Sequence, residues 1–160
     1  MSERPIDQWP EVLLPASLNA LRPLDCPDLV RLGRRNDGGY VLPSCVIPHV
    51  RLLLSFGINL DWSFEEAVCR ACPGVPLQSY DHTVGPRALW RLAVDALRSS
   101  GQPWRRRWQE ARRHLSNRRR FKGFFSGDHR HFEERIGSGE GTTGLDRVFS
   151  RLDVDSGVLL

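Results

Sequence analysis

Apolar residues fall into runs of two periods along this chain, separated by glycine and proline. His49–Phe56 is a largely continuous apolar run, the pattern of a strand covered on both faces, and it stops at Gly57. A helix is predicted from about Ser63 to Cys72, with Phe64, Val68 and Cys72 at i, i+4 and i+8 on its buried face. Ser63 and Glu66 have capping-box spacing at its start, and Pro73-Gly74 ends it. Val75–Asp81 reads as a second short strand that finishes on an aspartate. Pro86–Arg98 reads as a helix with proline at an opening position and a core stripe of Leu89, Leu92, Ala93, Ala96 and Leu97.

On the N-terminal side, Leu29–Gly33 and Tyr40–Leu42 flank Asn36-Asp37-Gly38-Gly39 and predict a hairpin, because those turn residues tolerate positive φ. Residues 1–28 are punctuated by prolines and read as a lead-in, with room for a short helix around Ala16–Leu21. Beyond the break at Ser99–Pro103, Trp104, Trp108, Ala111 and Leu115 keep helical spacing, which predicts an apolar stripe beneath an arginine-rich outer face. Phe121–Phe125 and His131–Ile136 are expected as short strands, Gly137–Gly144 as a loop and Leu145–Leu152 as a short helix. Val158-Leu159-Leu160 opens a further apolar strand in which the sequence stops, so a fragment or a shortened reading frame is expected. Strands alternating with helices indicate an α/β fold with a mainly parallel sheet.

Composition narrows this picture. The 160 residues suit one domain with a real core, and 40% hydrophobic content with 26% charge is globular. No run reaches the ~18 apolar residues of a membrane span, and Met1–Pro5 does not open a signal peptide, so a cytoplasmic location is expected. The formal charge of +4 is uneven: Trp104–Lys122 holds eight arginines, one lysine and one glutamate, a net +8, which leaves −4 for the remainder. Cys69 and Cys72 have CxxC spacing, but no second ligand pair follows and the pair sits late in a helix. With Cys26 and Cys45 they read as thiols of a reducing compartment, and no metal site is expected.

The candidate chemistry lies at the strand ends. A glycine at the tip of the first strand admits close approach of a ligand, a helix N-terminus offers amides, and a carboxylate at the second strand tip suits ribose hydroxyls. Gly57, the Ser63 helix and Asp81 occupy those places. Gly57-Ile58-Asn59-Leu60-Asp61 lacks the GxGxxG spacing that seats a pyrophosphate, which favours a cofactor without one. An ordinary strand–turn–helix has the same spacing.

Arg31-Leu32-Gly33 with Asp37-Gly38-Gly39-Tyr40, Leu54-Ser55-Phe56-Gly57-Ile58, Asp61-Trp62-Ser63-Phe64-Glu65 and Tyr80-Asp81 together resemble the FkbM-type S-adenosylmethionine-dependent methyltransferases. The similarity is to the branch whose first motif reads SFGI followed by WSF. It spans about Leu29 to Val84 and resumes over His131–Leu160. The resemblance implies a Rossmann-like methyltransferase sheet, incomplete at the C-terminus, over residues 29–160, with a basic helical insertion at about 103–120. It implies that Phe56, Gly57 and Ile58 border S-adenosylmethionine, that Asp81 holds its ribose and that Asp37, Gly38 and Gly39 shape the entrance. A plain hairpin turn accounts for that last trio equally well. Family members continue past the final strand with an acidic motif facing the active site, and this sequence stops before it, so the chain is expected to carry half of the cleft and to be inactive alone. The reaction implied is O-methylation of a small molecule or glycan. His82 is the weak candidate for a base, with His129 and His131 behind it. The alternative is a non-catalytic basic module on a remnant of the fold, binding nucleic acid or an anionic surface through Arg105–Arg120.

Overall fold

The computed structural model describes Pro15, Ser17 and residues 26–35 and 39–152. The short helix expected around Ala16–Leu21, the turn residues Asp37 and Gly38, and the strand at Val158–Leu160 lie outside the described residues, Ser17 apart. The fold is mixed α/β, with a three-stranded parallel sheet and a separate two-stranded hairpin.

The hairpin pairs β1 (Leu29–Gly33) with β2 (Gly39–Pro43) antiparallel, in register from Leu29 opposite Pro43 to Gly33 opposite Gly39. A short 3-10 helix, Ser44–His49, follows it, so the apolar run that opens at His49 becomes a strand only at β3 (Leu53–Phe56). Pro48 sits inside that helix, and His49 is its last residue. Next come α1 (Ser63–Ala71), β4 (Leu77–Tyr80), α2 (Pro86–Arg98), α3 (Trp104–Phe124), β5 (His129–Phe132) and α4 (Leu145–Phe149). The sheet order is β3-β4-β5 and both pairings are parallel, with Phe56, Tyr80 and Phe132 in one register row.

Alternation along the strands sorts side chains onto two faces. Leu53 and Leu77 pack with Val68 of α1 and with Phe64, Phe124 and Phe125. Leu52, Leu54 and Tyr80 pack on the opposite face against Val148 of α4 and Leu152. On that second face the rings of Phe56, Tyr80 and Phe132 form a cross-strand stack, with centroids 5.7 and 4.8 Å apart. Arg151 closes the stack, its guanidinium 4.7 Å from the Phe132 ring and bonded through both terminal nitrogens to Glu134 at 2.9 and 3.0 Å.

The helical hairpin α2–α3 departs from the sequence expectation. Ala93 and Ala96 of α2 meet Ala111 of α3 with Leu97 beside them, and Leu89 of α2 joins Phe121 of α3 in a second cluster. Trp104, Trp108 and Leu115, expected as the buried stripe of α3, are instead 65%, 52% and 38% exposed. Leu92 of α2 is likewise exposed, while Leu89 is fully buried. Phe121–Phe125 is no strand: Phe121 and Phe124 are the last turn of α3 and Phe125 is its C-cap. The i, i+3, i+4 spacing of these rings places them on one helical face, where Phe121 meets the buried Trp62 edge-on at 5.5 Å.

Candidate functional site

The loop from Gly57 to Trp62 joins β3 to α1 and leans on the tip of β4. Gly57 takes φ +69°, left-handed backbone that glycine adopts at no steric cost, and a Cβ placed there would meet nothing within 4 Å. Its N–H donates to the Tyr80 carbonyl at 3.0 Å, carrying the β3–β4 ladder one step past the strand ends. Asn59 also has positive φ, at 49°, and its N–H donates to Asp81 Oδ2 at 2.7 Å. Ile58 is buried beside Trp62, Val84 and Leu89, and pins the loop to the core.

Asp81 therefore stands where the sequence placed it, at the end of the second parallel strand and against the first. It is only 5% exposed, and its backbone N–H continues the ladder to the Phe132 carbonyl. Oδ1 accepts from the Thr83 N–H at 2.7 Å and from the Thr83 hydroxyl at 2.6 Å. Burial alone would raise this carboxyl, but the bonds from Thr83 and Asn59 outweigh it and hold Asp81 below the usual aspartate value. A carboxylate has about four lone-pair sites, and three are engaged within the loop.

A cleft of about 710 Å³ runs along the free edge of β3, with Phe56, Gly57, Ile58 and Asp61 at its upper end and Tyr40 and Val41 of the hairpin on its wall. Phe56 offers a ring 45% exposed at this end. Gly39 is not a cleft residue in this geometry: a Cβ on it would strike the Arg34 carbonyl, so the tight hairpin accounts for it. Asp37 and Gly38 lie outside the described residues.

Glu65 belongs to the same cleft and carries its sharpest electrostatic anomaly. It is 4% exposed in the first turn of α1, one oxygen accepts from the Ser55 hydroxyl, and the other, Oε2, has no partner among the described residues. Desolvation raises its pKa above the usual glutamate value, the Ser55 and backbone bonds oppose this, and the neighbouring Asp61 and Glu66 add to the rise. The sequence carries a signal for it, an acidic residue on the apolar side of a helix next to Phe64 and Val68, which the capping-box spacing of Ser63 and Glu66 obscured. That box does not form. Asp61 Oδ1 accepts from the Ser63 N–H at 3.0 Å, while Ser63 Oγ accepts from the Arg34 N–H at 3.1 Å. Glu66 turns outward instead, to Arg120 at 2.7 and 2.9 Å and to the Trp62 indole at 3.1 Å.

The histidines divide plainly. His82 is exposed beside Asp81. His131 is held at both ring nitrogens: Nε2 lies 2.9 Å from the Val84 carbonyl, which can only accept, so Nε2 carries the proton and Nδ1 accepts from Ser79 Oγ at 3.2 Å. Burial lowers its pKa, and it packs on Phe121 and Phe125 as a neutral core residue. His129 bonds the Phe124 carbonyl at 3.1 Å, which links β5 to the end of α3. Cys69 and Cys72 are free thiols; burial pushes Cys69 up to about 11, and Cys72 donates to the Ile47 carbonyl at 3.2 Å. Among the described residues no helix is long and apolar enough to cross a membrane.

Comparison with protein-family models, with curated proteins and with solved structures finds no match to this chain.

Proposed function

We propose that the tips of β3 and β4 bind the nucleoside of S-adenosylmethionine, as part of a methyltransferase-type domain whose reaction is O-methylation of a small molecule or glycan and whose cleft this chain supplies in part. The observation that carries this reading is Gly57: it has left-handed backbone and open space at its missing Cβ, and it is bonded across a parallel ladder to the strand that ends in Asp81. The fit also extends to charge. Asp61 Oδ1 already accepts from the Ser63 N–H, so a carboxylate stands at the start of α1 where a pyrophosphate would seat. A bound S-adenosylmethionine would supply an already activated methyl group. Of the chain's own residues, Phe56 offers a ring face, Gly57 a close backbone approach and Asp81 its one remaining lone-pair site for a ribose hydroxyl. His82 is the exposed group nearest in sequence that can take an acceptor proton. The four free thiols suit a reducing, cytoplasmic setting.

Isothermal titration of the chain with S-adenosylmethionine, S-adenosylhomocysteine and NAD tests this, with amide chemical shifts as the second readout. Saturable binding of the first two, with shifts centred on Phe56–Asn59 and Asp81–Thr83, is expected. Absence of saturable binding, or equal binding of NAD, overturns the reading.

A further inference from the structure

We propose that the outer face of α3 binds single-stranded nucleic acid, with indole rings as stacking platforms between arginines. The helix carries eight arginines and Lys122 against a single acidic residue, Glu110. Among the described residues, Arg120 alone of these nine cations has an acidic partner, Glu66. The field around α3 is therefore largely uncompensated, which draws a polyanion.

The aromatic component sets the class of polyanion. Trp104, Trp108 and Leu115 stand at i, i+4 and i+11, so they share one stripe, and the contact with α2 leaves that stripe outside. The two indoles are one turn apart, ~6 Å along the axis, a step that two neighbouring unpaired bases can span. Arg105 lies 6.0 Å from the Trp104 ring, and Arg118 lies 5.9 Å from the exposed Trp90 of α2. Each pair sets a cation beside an exposed flat ring, the combination that holds a base and its phosphate together.

A bilayer fits this face less well. An interfacial helix needs a broad apolar side, whereas here the stripe is a single row of three residues and Arg105, Arg112 and Arg119 follow it along its flank. A duplex hides its base faces and leaves the indoles without a role. The proposal does not rest on the cofactor reading, because the residues it uses, Trp104, Trp108, Arg112 and Arg119, do not line the cleft at Gly57.

Fluorescence anisotropy with a labelled 15-nucleotide oligouridylate tests it, using the whole chain, its duplex counterpart as competitor and anionic phosphatidylserine vesicles in a parallel sedimentation assay. The expected result is saturable binding to the single strand whose affinity falls linearly with salt on logarithmic axes, and weak competition by duplex. The double variant R112E/R119E should lose more than tenfold in affinity and flatten the salt slope. The double variant W104A/W108A should lose about tenfold and leave the slope unchanged. All four residues are exposed, and an unchanged circular dichroism spectrum excludes misfolding. No binding at low salt, equal binding of duplex, an unaffected W104A/W108A protein, or vesicle binding that the oligonucleotide does not displace would each overturn the proposal.

Discussion

Two carboxyl groups flank the Gly57–Ser63 turn, and they have opposite surroundings. Asp81, beneath the turn, is buried with three donors on its oxygens and is held low. Glu65, on the other side at the start of α1, is also buried, has a single side-chain donor in Ser55 and is pushed up. Burial raises both; Asp81 is brought down by its donors and by the nearby His131, whereas Glu65 has fewer donors and acidic neighbours in Asp61 and Glu66. The difference teaches that the turn is built around Asp81 and merely passes Glu65. Asp81 fixes the backbone that a ligand would meet, whereas Glu65 keeps an unused acceptor at the cleft wall.

The largest effect that can break this contrast is removal of Asp81. Asp81→Ala strips the acceptor from the Asn59 and Thr83 amides and the Thr83 hydroxyl, and is expected to destabilise the fold by about 3 kcal/mol in urea titrations. A loss below about 1 kcal/mol would mean that the turn holds its shape without the carboxylate. Gly57→Val comes next. Open space surrounds the missing Cβ, so its cost is purely that of holding a β-branched residue at φ +69°, on the order of 1–2 kcal/mol. Gly39→Ala provides the control in the other sense, since there the Cβ collides with the Arg34 carbonyl.

Much of this arrangement is legible in the residues. The parallel pair, the glycine that ends β3, the aspartate that ends β4 and the antiparallel hairpin all follow from local patterns, because each depends on period or on turn chemistry within a few residues. What fails is whatever depends on a distant partner. Trp104 and Trp108 have the spacing of a core stripe, but α2 offers Ala93 and Ala96, and close approach of two helices selects Ala111 over the indoles. The aromatic density of Phe121–Phe125 suggests a strand, yet Trp62, 59 residues before Phe121, makes it the buried end of a helix. Glu66 has capping spacing and leaves it for Arg120, 54 residues on. Glu65 is legible only as an acid beside apolar neighbours; its missing second partner is a property of the assembled cleft.

The smallest effect sharpens the contrast best, because it separates the two carboxyls by pH. Glu65 has a folded-state pKa above its unfolded value of about 4.5, so the folded chain holds its proton more tightly. Its favourable contribution is complete below that value and is lost as pH rises through the folded pKa. Asp81 works in the reverse direction: its contribution is present above about 3.8 and is lost as pH falls through its lowered folded pKa. Glu65 therefore contributes a decline on the alkaline side of pH 4.5 and Asp81 a decline on the acid side of 3.8, over the opposite slope that His131, with its lowered pKa, adds below 6.5 in wild type and variant alike. Glu65→Gln keeps the acceptor for the Ser55 hydroxyl and removes the titration. It should remove the Glu65 part of the alkaline decline and leave the acid limb intact, so the variant gains on wild type as pH rises. Urea midpoints at about pH 3, 5 and 8 for the two proteins measure both limbs. An alkaline limb unchanged in Glu65→Gln would show that Glu65 is ionised and satisfied in the folded chain, and the asymmetry across the turn would then disappear.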